Sequence, residues 1–218
     1  MKLESAIGIF FRVPHFGKVK KRLANDTGKH FALKAYKSML KETFENVSGL
    51  KGIDIYGFYD GELSSENCLL NSDNASIDPF KKGVPLIPQK GNNLGERMYN
   101  AIQLLLNTGY QKVSLIGADS PDLPVSFIDM AFRKLDLYDL VIGPTEDGGY
   151  YLIGMKKPLD EIFKSIQWGQ DTVLKDTISN ALNLGISYFL LPEWYDIDEI
   201  DNLKRWRLNR RKSVSQQR

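Results

Sequence analysis

The chain has a single cysteine, Cys68, in 218 residues. A lone thiol excludes an internal disulfide and any multi-cysteine metal site, and it fits a reducing compartment as an inert side chain. Neither sign of charge dominates: 29 Lys and Arg face 27 Asp and Glu, a net charge of +2. That balance gives no general ground for a polyanion partner, so no nucleic acid is expected. Long apolar runs are missing too. The N-terminal one, Ala6 to Phe11, is six residues long before Arg12, too short for a signal-peptide core or a membrane span. A cytoplasmic protein with no membrane span is expected. Internal repeats, low-complexity blocks and interdomain linkers are also lacking.

What is present is ordinary for a globular protein: 42% hydrophobic, 26% charged and 11% aromatic residues. The length suits one domain with its own core. That domain is expected over residues 1–204, followed by a basic, flexible, solvated tail over 205–218. The Ser-, Asn- and Asp-rich segment from Gly61 to Gly83 reads as a surface excursion.

Apolar, β-rich runs at Ala6 to Val13, Ile53 to Tyr59, Lys112 to Gly117, Asp139 to Gly143, Tyr150 to Met155 and Ser187 to Leu191 read as strands. Between them, Leu33, Tyr36, Leu40, Phe44 and Val47 recur at helical steps, as do Leu94, Met98, Ile102 and Leu105. Ile128 to Leu135 and Thr172 to Leu182 read as two further helices, the last with Asp171 as N-cap. Alternating strands and helices predict an α/β fold of three αβα layers around a mostly parallel, mixed sheet. AIGIFF and KVSLIGAD are continuously apolar, as strands covered on both faces are. In such sheets the ligand crevice lies beyond the carboxyl ends of the strands.

The candidate site residues therefore sit where strands end. After the first strand, PHFGKVKKRL places Lys18, Lys20, Lys21 and Arg22 around Gly17. Such a loop either wraps phosphates with backbone N–H groups and cationic heads, or is an ordinary solvated charge run. It lacks the Walker spacing. His15 has no evident partner and reads as a surface residue. LIGADSPDL leaves Asp119 as the last side chain before Pro121 turns the chain away, as a metal carboxylate or as a turn cap. In WYDIDEIDNL, an extended backbone puts Asp196 and Asp198 on one side, beside the simpler reading of an acidic helix start. QKGNNLGERM offers Gln89, Gly91 and Asn92 to border a nucleotide base and Arg97 to reach a phosphate, or a generic helix entry capped by Asn93. GPTEDGGYYLIG joins Glu146 and Asp147 to Gly148, Gly149 and Tyr150. It is either a tight hairpin turn or a place where a ligand approaches bare backbone between polar groups.

In this order and at this spacing, the five motifs resemble a bacterial glycosyltransferase-like family of the nucleotide-diphospho-sugar transferase superfamily with the Rossmann-like GT-A fold, members of which have been called arsenosugar-biosynthesis-type glycosyltransferases. The likeness runs from about Ile7 to Leu203. The chain is more distantly similar to phospholactate and molybdenum-cofactor guanylyltransferases. The resemblance implies that Gly17, Lys20 and Arg22 match phosphate-loop positions, Asp119 a metal position and Glu146 to Gly149 the acceptor-side turn. It also implies a second metal position at Asp198 or Asp196, with Asp198 favoured. The chain departs from the family near Phe16, where a second proline is usual, near Lys21, where a threonine is, and at Gly169 and Gln170, where a small hydroxyl residue follows Trp168.

The expected activity is that of a Mg²⁺- or Mn²⁺-dependent glycosyltransferase moving a sugar from a nucleotide sugar to a small acceptor, with Asp147 or Glu146 orienting or deprotonating that acceptor. One rival is a nucleotidyltransferase that joins a nucleoside triphosphate to a phosphorylated small molecule and releases pyrophosphate. A second rival is a non-catalytic nucleotide-binding module. A homodimer is compatible with all three.

Overall fold

A computed structural model describes residues 4–63 and 83–216, with side chains to residue 210. Cys68 and most of the segment expected as a surface excursion lie outside the described residues. Seven strands form one sheet: β1 (Ser5–Arg12), β2 (Ile53–Asp60), β3 (Leu86–Pro88), β4 (Lys112–Gly117), β5 (Leu140–Pro144), β6 (Tyr150–Met155) and β7 (Tyr188–Leu190). Their order is β3-β2-β1-β4-β6-β5-β7. All neighbours are parallel except β6, which runs against both β4 and β5. The mostly parallel, mixed α/β sheet expected from the sequence is the one observed.

Helices α2 (Lys29–Val47) and α4 (Val125–Lys134) cover one face. Ile7, Ile9, Leu40, Phe44, Ile128 and Val141 make that half of the core. Helices α3 (Leu94–Thr108) and α5 (Val173–Asn183), with a 3₁₀ turn over Asp160–Phe163, cover the other. There Ile102, Leu105, Leu140, Ile153 and Ile162 are buried. Covering on both faces explains why β1 and β5 are apolar without alternation. Helix α3 starts as its residues direct: the Asn93 side chain accepts from Glu96 N at 2.9 Å, and Glu96 Oε2 accepts from Asn92 N at 2.8 Å.

Four features differ from the sequence expectation. Strand β3 was not foreseen, being three residues long and closed by Pro88. Helix α1 (Lys21–Thr27) was hidden in the charge run, because Leu23 is its only fully buried side chain. The N-cap of α5 is Thr172 rather than Asp171, and the Thr172 hydroxyl donates to Asp176 at 2.9 Å. The boundary expected at residue 204 falls inside α6 (Ile200–Gln216). This helix packs Leu203 and Trp206 against Leu23, Ala35 and Met39 of α1 and α2. Trp206 is 3% exposed, and its indole N–H donates to Glu42 at 3.1 Å. A charged helix is thus tied down by two apolar residues three apart, a spacing too short to register as periodicity.

Candidate active site

Strand order reverses between β1 and β4, since the chain runs outward from β1 to β2 and β3 and then returns to β4 on the other side. Loops leaving two such strands diverge and open a crevice at their carboxyl ends. A cleft of about 770 Å³ lies there, in the range of small-molecule sites. Lys18, Lys20, Lys21, Arg22, Gln89, Arg97, Asp119 and Asp198 are among its lining residues.

At the cleft floor three charged groups meet. Lys20 Nζ is 2.6 Å from Asp119 Oδ1 and 2.7 Å from Asp198 Oδ1, with the lysine side chain 3% exposed and the carboxylates 49% and 43%. Lys20 takes a left-handed backbone conformation, φ 45° and ψ 55°, at the entry to α1, and this turns its side chain inward. Burial alone would lower the ammonium's pKa, but Asp119 and Asp198 outweigh it and hold it above the usual lysine value. The two acids arrive from distant parts of the chain on stitched backbones. Ile197 N donates to the Asp119 carbonyl at 2.9 Å, and the Ser120 hydroxyl donates to the Tyr195 carbonyl at 2.8 Å. Tyr195 and Ile197 are buried while Asp196 and Asp198 face the other way, the two-residue alternation expected of an extended segment. Asp196 joins the group without contacting Lys20 directly. Its pKa rises to about 6, first through burial and then through the negative charges of Asp147 and Asp198.

The opposite rim is the turn between β5 and β6. Because β6 runs backwards, this turn lands at the same sheet edge as Asp119. Asp147 Oδ1 accepts from the Thr145 hydroxyl at 2.6 Å and from Gly149 N at 3.1 Å. These bonds fix the turn and leave Oδ2 outside it. Gly148 has φ 85°, and a Cβ there would run into the Asp171 carbonyl. Only glycine fits. Glu146 points away to the last helix, where Arg205 Nη1 lies 2.8 Å from its carboxylate and stacks over the Tyr195 ring at 3.9 Å. Tyr150 lines the cleft with its ring, while its hydroxyl is buried behind, which raises its pKa by desolvation.

On the third side, Gln89 Nε2 donates to the carbonyls of Phe58 at 3.0 Å and Phe11 at 3.3 Å, so its Oε1 is the atom left for another partner. Asn92 is occupied with Glu96. Gly91, at φ 140°, lets the loop pass close to α3, and Arg97 Nε donates to its carbonyl at 3.1 Å. Arg97 Nη1 is also 3.1 Å from Asp60 Oδ2, which Arg12 Nε approaches at 3.4 Å. Arg12 and Asp60 were not singled out from the sequence. Both are last residues of strands and pair in register, so the strand-end rule that found Asp119 applies to them equally.

Fold, crevice and charge arrangement together define the class: the protein has the fold of the nucleotide-diphospho-sugar transferases. Residues 43–170 match the profile of the family described as "Uncharacterized protein conserved in bacteria (DUF2064)". The chain belongs to that family. It is 32% identical to a protein of Desulfovibrio desulfuricans G20 described as a "putative nucleotide-diphospho-sugar transferase", covering 91% of this chain and 84% of that one with a TM-score of 0.80. The fold is shared at 10% identity with a CMP:2-keto-3-deoxy-manno-octonic acid synthetase complexed with CTP, over 96% and 99% of the chains with a TM-score of 0.59. It is shared at 14% identity with the inositol-1-phosphate CTP transferase from T. maritima, over 91% of both chains with a TM-score of 0.55. No curated protein matches the chain in sequence.

Proposed function

We infer that the chain is a transferase acting on a nucleotide-activated donor, and that the group it transfers is a sugar. One observation carries this reading: Asp119 and Asp198 each aim an oxygen at a single cationic position, 2.6 and 2.7 Å away, on the floor of a cleft whose adjacent loop carries Lys18, Lys21 and Arg22. Among the described residues no cluster of three or more His, Cys, Asp or Glu side chains could hold a metal. Mg²⁺ and Mn²⁺ do not require one, since two carboxylates suffice when phosphate and water complete the shell. The ammonium held between the two acids is a stand-in for such a cation, so these residues fit it. A bound Mg²⁺ or Mn²⁺ would neutralise charge on the departing diphosphate as a Lewis acid.

The remaining chemistry belongs to the chain. Gly17 N–H, Lys18, Lys20 and Arg22 hold the diphosphate, with Arg97 at the cleft mouth. Gln89 Oε1 and the backbone at Gly91 and Asn92 border the base. The acceptor hydroxyl attacks the anomeric carbon, the carbon–oxygen bond to the diphosphate breaks, and a nucleoside diphosphate leaves. The hydroxyl proton passes to Asp147 Oδ2, a better candidate than Glu146 because Arg205 occupies the latter. Gly148 and Gly149 let the acceptor approach the turn, and Tyr150 walls it.

A second reading, nucleotidyl transfer with pyrophosphate release, is favoured by the CTP-using proteins that share the fold. Against it stands the acceptor rim. Asp147 and Asp196 face that side, and the nearby cation Arg205 is already committed to Glu146. A phosphorylated acceptor would meet repulsion there. Incubation with nucleotide sugars and with nucleoside triphosphates, each with Mg²⁺ or Mn²⁺, separates the readings. Nucleoside diphosphate from a nucleotide sugar supports glycosyl transfer, pyrophosphate from a triphosphate supports the alternative, and neither by-product with any donor removes both.

A further inference from the structure

Of the four cations in the first loop, one behaves differently. Among the described residues Lys18, Lys21 and Arg22 form no ion pair, and Lys21 and Arg22 are exposed. Lys20 alone is buried, in a left-handed backbone conformation that lysine rarely adopts, with both Asp119 and Asp198 on its ammonium. A lysine whose task is only to meet an incoming phosphate has no need of this burial. Its ammonium already touches Oδ1 of both carboxylates proposed above to hold a divalent cation.

We propose that Lys20 is a resident counter-ion that competes with the divalent cation for Asp119 and Asp198, and that a nucleotide diphosphate eases its release by offering its ammonium new anionic partners. The proposal rests on the reading that these two acids are the metal ligands. Like charges cannot share one small site, so a divalent cation must displace the ammonium before it binds. Without a diphosphate the displaced ammonium has no partner in a nearly dry pocket. With a diphosphate, its oxygens accept the ammonium while the acids accept the metal. Metal and nucleotide then strengthen each other's binding by one common factor, since such coupling is reciprocal. Lys20 acts here as a positioning residue: it weakens metal binding to the empty site and eases it when the donor is present.

Mn²⁺ binding, followed by the electron spin resonance of the free ion, tests this directly. The nucleotide-free Lys20→Met variant is expected to bind Mn²⁺ roughly ten- to a hundredfold more tightly than the wild type, the range of ordinary couplings between sites, and adding Asp119→Ala should abolish the gain. Each of ADP, CDP, GDP, UDP and dTDP is then added, with correction for Mn²⁺ bound by the nucleotide itself. At least one should tighten Mn²⁺ binding to the wild type by a larger factor than it tightens binding to Lys20→Met. Equal or weaker Mn²⁺ binding by the nucleotide-free variant overturns the proposal while leaving a metal site in place. No Mn²⁺ binding by either protein with any diphosphate removes the metal reading as well. Should the variant fail to fold, acetic anhydride footprinting of the wild type gives the answer. Saturating Mn²⁺ without nucleotide should raise labelling of Lys20 severalfold and leave that of Lys18 unchanged, and unchanged protection of Lys20 overturns the proposal.

Discussion

Gly148→Ala is the sharpest single test of how the acceptor rim is built. The residue sits at φ 85°, where an L side chain costs about 1–2 kcal/mol. Its added Cβ would meet the Asp171 carbonyl, which belongs to the backbone leading into α5 and cannot swing aside as a side chain would. Moving that segment also strains the bond in which Leu174 N donates to the Gly148 carbonyl at 2.9 Å. Overpacking of this kind costs about 1–3 kcal/mol, for a total of about 2–5 kcal/mol. At 2–4 °C per kcal/mol for a chain of this size, the melting temperature should fall by roughly 4–20 °C. Gly149→Ala is the matched control, because its Cβ would face side-chain atoms and no backbone, the Thr145 hydroxyl at 3.0 Å and Asp147 Oδ1 at 3.3 Å. Scanning calorimetry of both variants, with nucleotide binding checked at a temperature where each is folded, gives the comparison. Residues 145–149 are not among those lining the cleft, so under the proposed function Gly148→Ala should bind nucleotide like the wild type while turnover of the acceptor falls. A Gly148→Ala protein melting within about 2 °C of the wild type would refute the reasoning.

Three further outcomes follow from the same geometry. Trp206→Ala, which empties a 3% exposed site between α6 and the first two helices, should cost about 3–5 kcal/mol in urea unfolding even though it lies in the basic C-terminal stretch. Asp196, with its folded-state pKa raised to about 6, binds its proton more tightly in the native protein than in the unfolded chain. Its contribution is therefore fullest below the ordinary aspartate range and declines as pH rises through 6, and Asp196→Asn should flatten the pH dependence of the urea midpoint between pH 4 and 7 in metal-free buffer. Arg97→Ala, which removes the guanidinium held by Asp60 at the cleft mouth, should weaken nucleotide diphosphate binding about tenfold, as expected for one charged hydrogen-bonding group, and make it less sensitive to salt in equilibrium titrations.

The sequence made the layered sheet legible because β1 and β4 are continuously apolar, a pattern that only double coverage produces. It made Asp119 legible because Pro121 marks where the strand must stop. The inward turn of Lys20 was not legible. In a run of four cations nothing local distinguishes the one whose backbone adopts positive φ, and the reason for it, two acids 99 and 178 residues away along the chain, is tertiary. Helix α1 was masked by the same charges. Arg12 and Asp60 could have been found, since each closes a strand, whereas Asp119 stands two residues past the end of one. The pairing of Glu146 with Arg205 could not, because α6 read as a solvated tail.

The reversed strand β6 has a consequence for how such proteins diverge. Among the described connections, β1 reaches β2 through α2, β3 reaches β4 through α3 and β6 reaches β7 through α5, and each of these helices packs on a face, so the path of those connections is constrained by the core. The β5–β6 connection contains no helix: it is a hairpin tip delivered to the crevice rim, tied to α5 at Gly148 and to α6 at Glu146. Between those ties lies the exposed Asp147, whose charge can be removed without repacking either layer. Relatives that share the cleft beside Lys20 could thus differ in the charge they present at this rim.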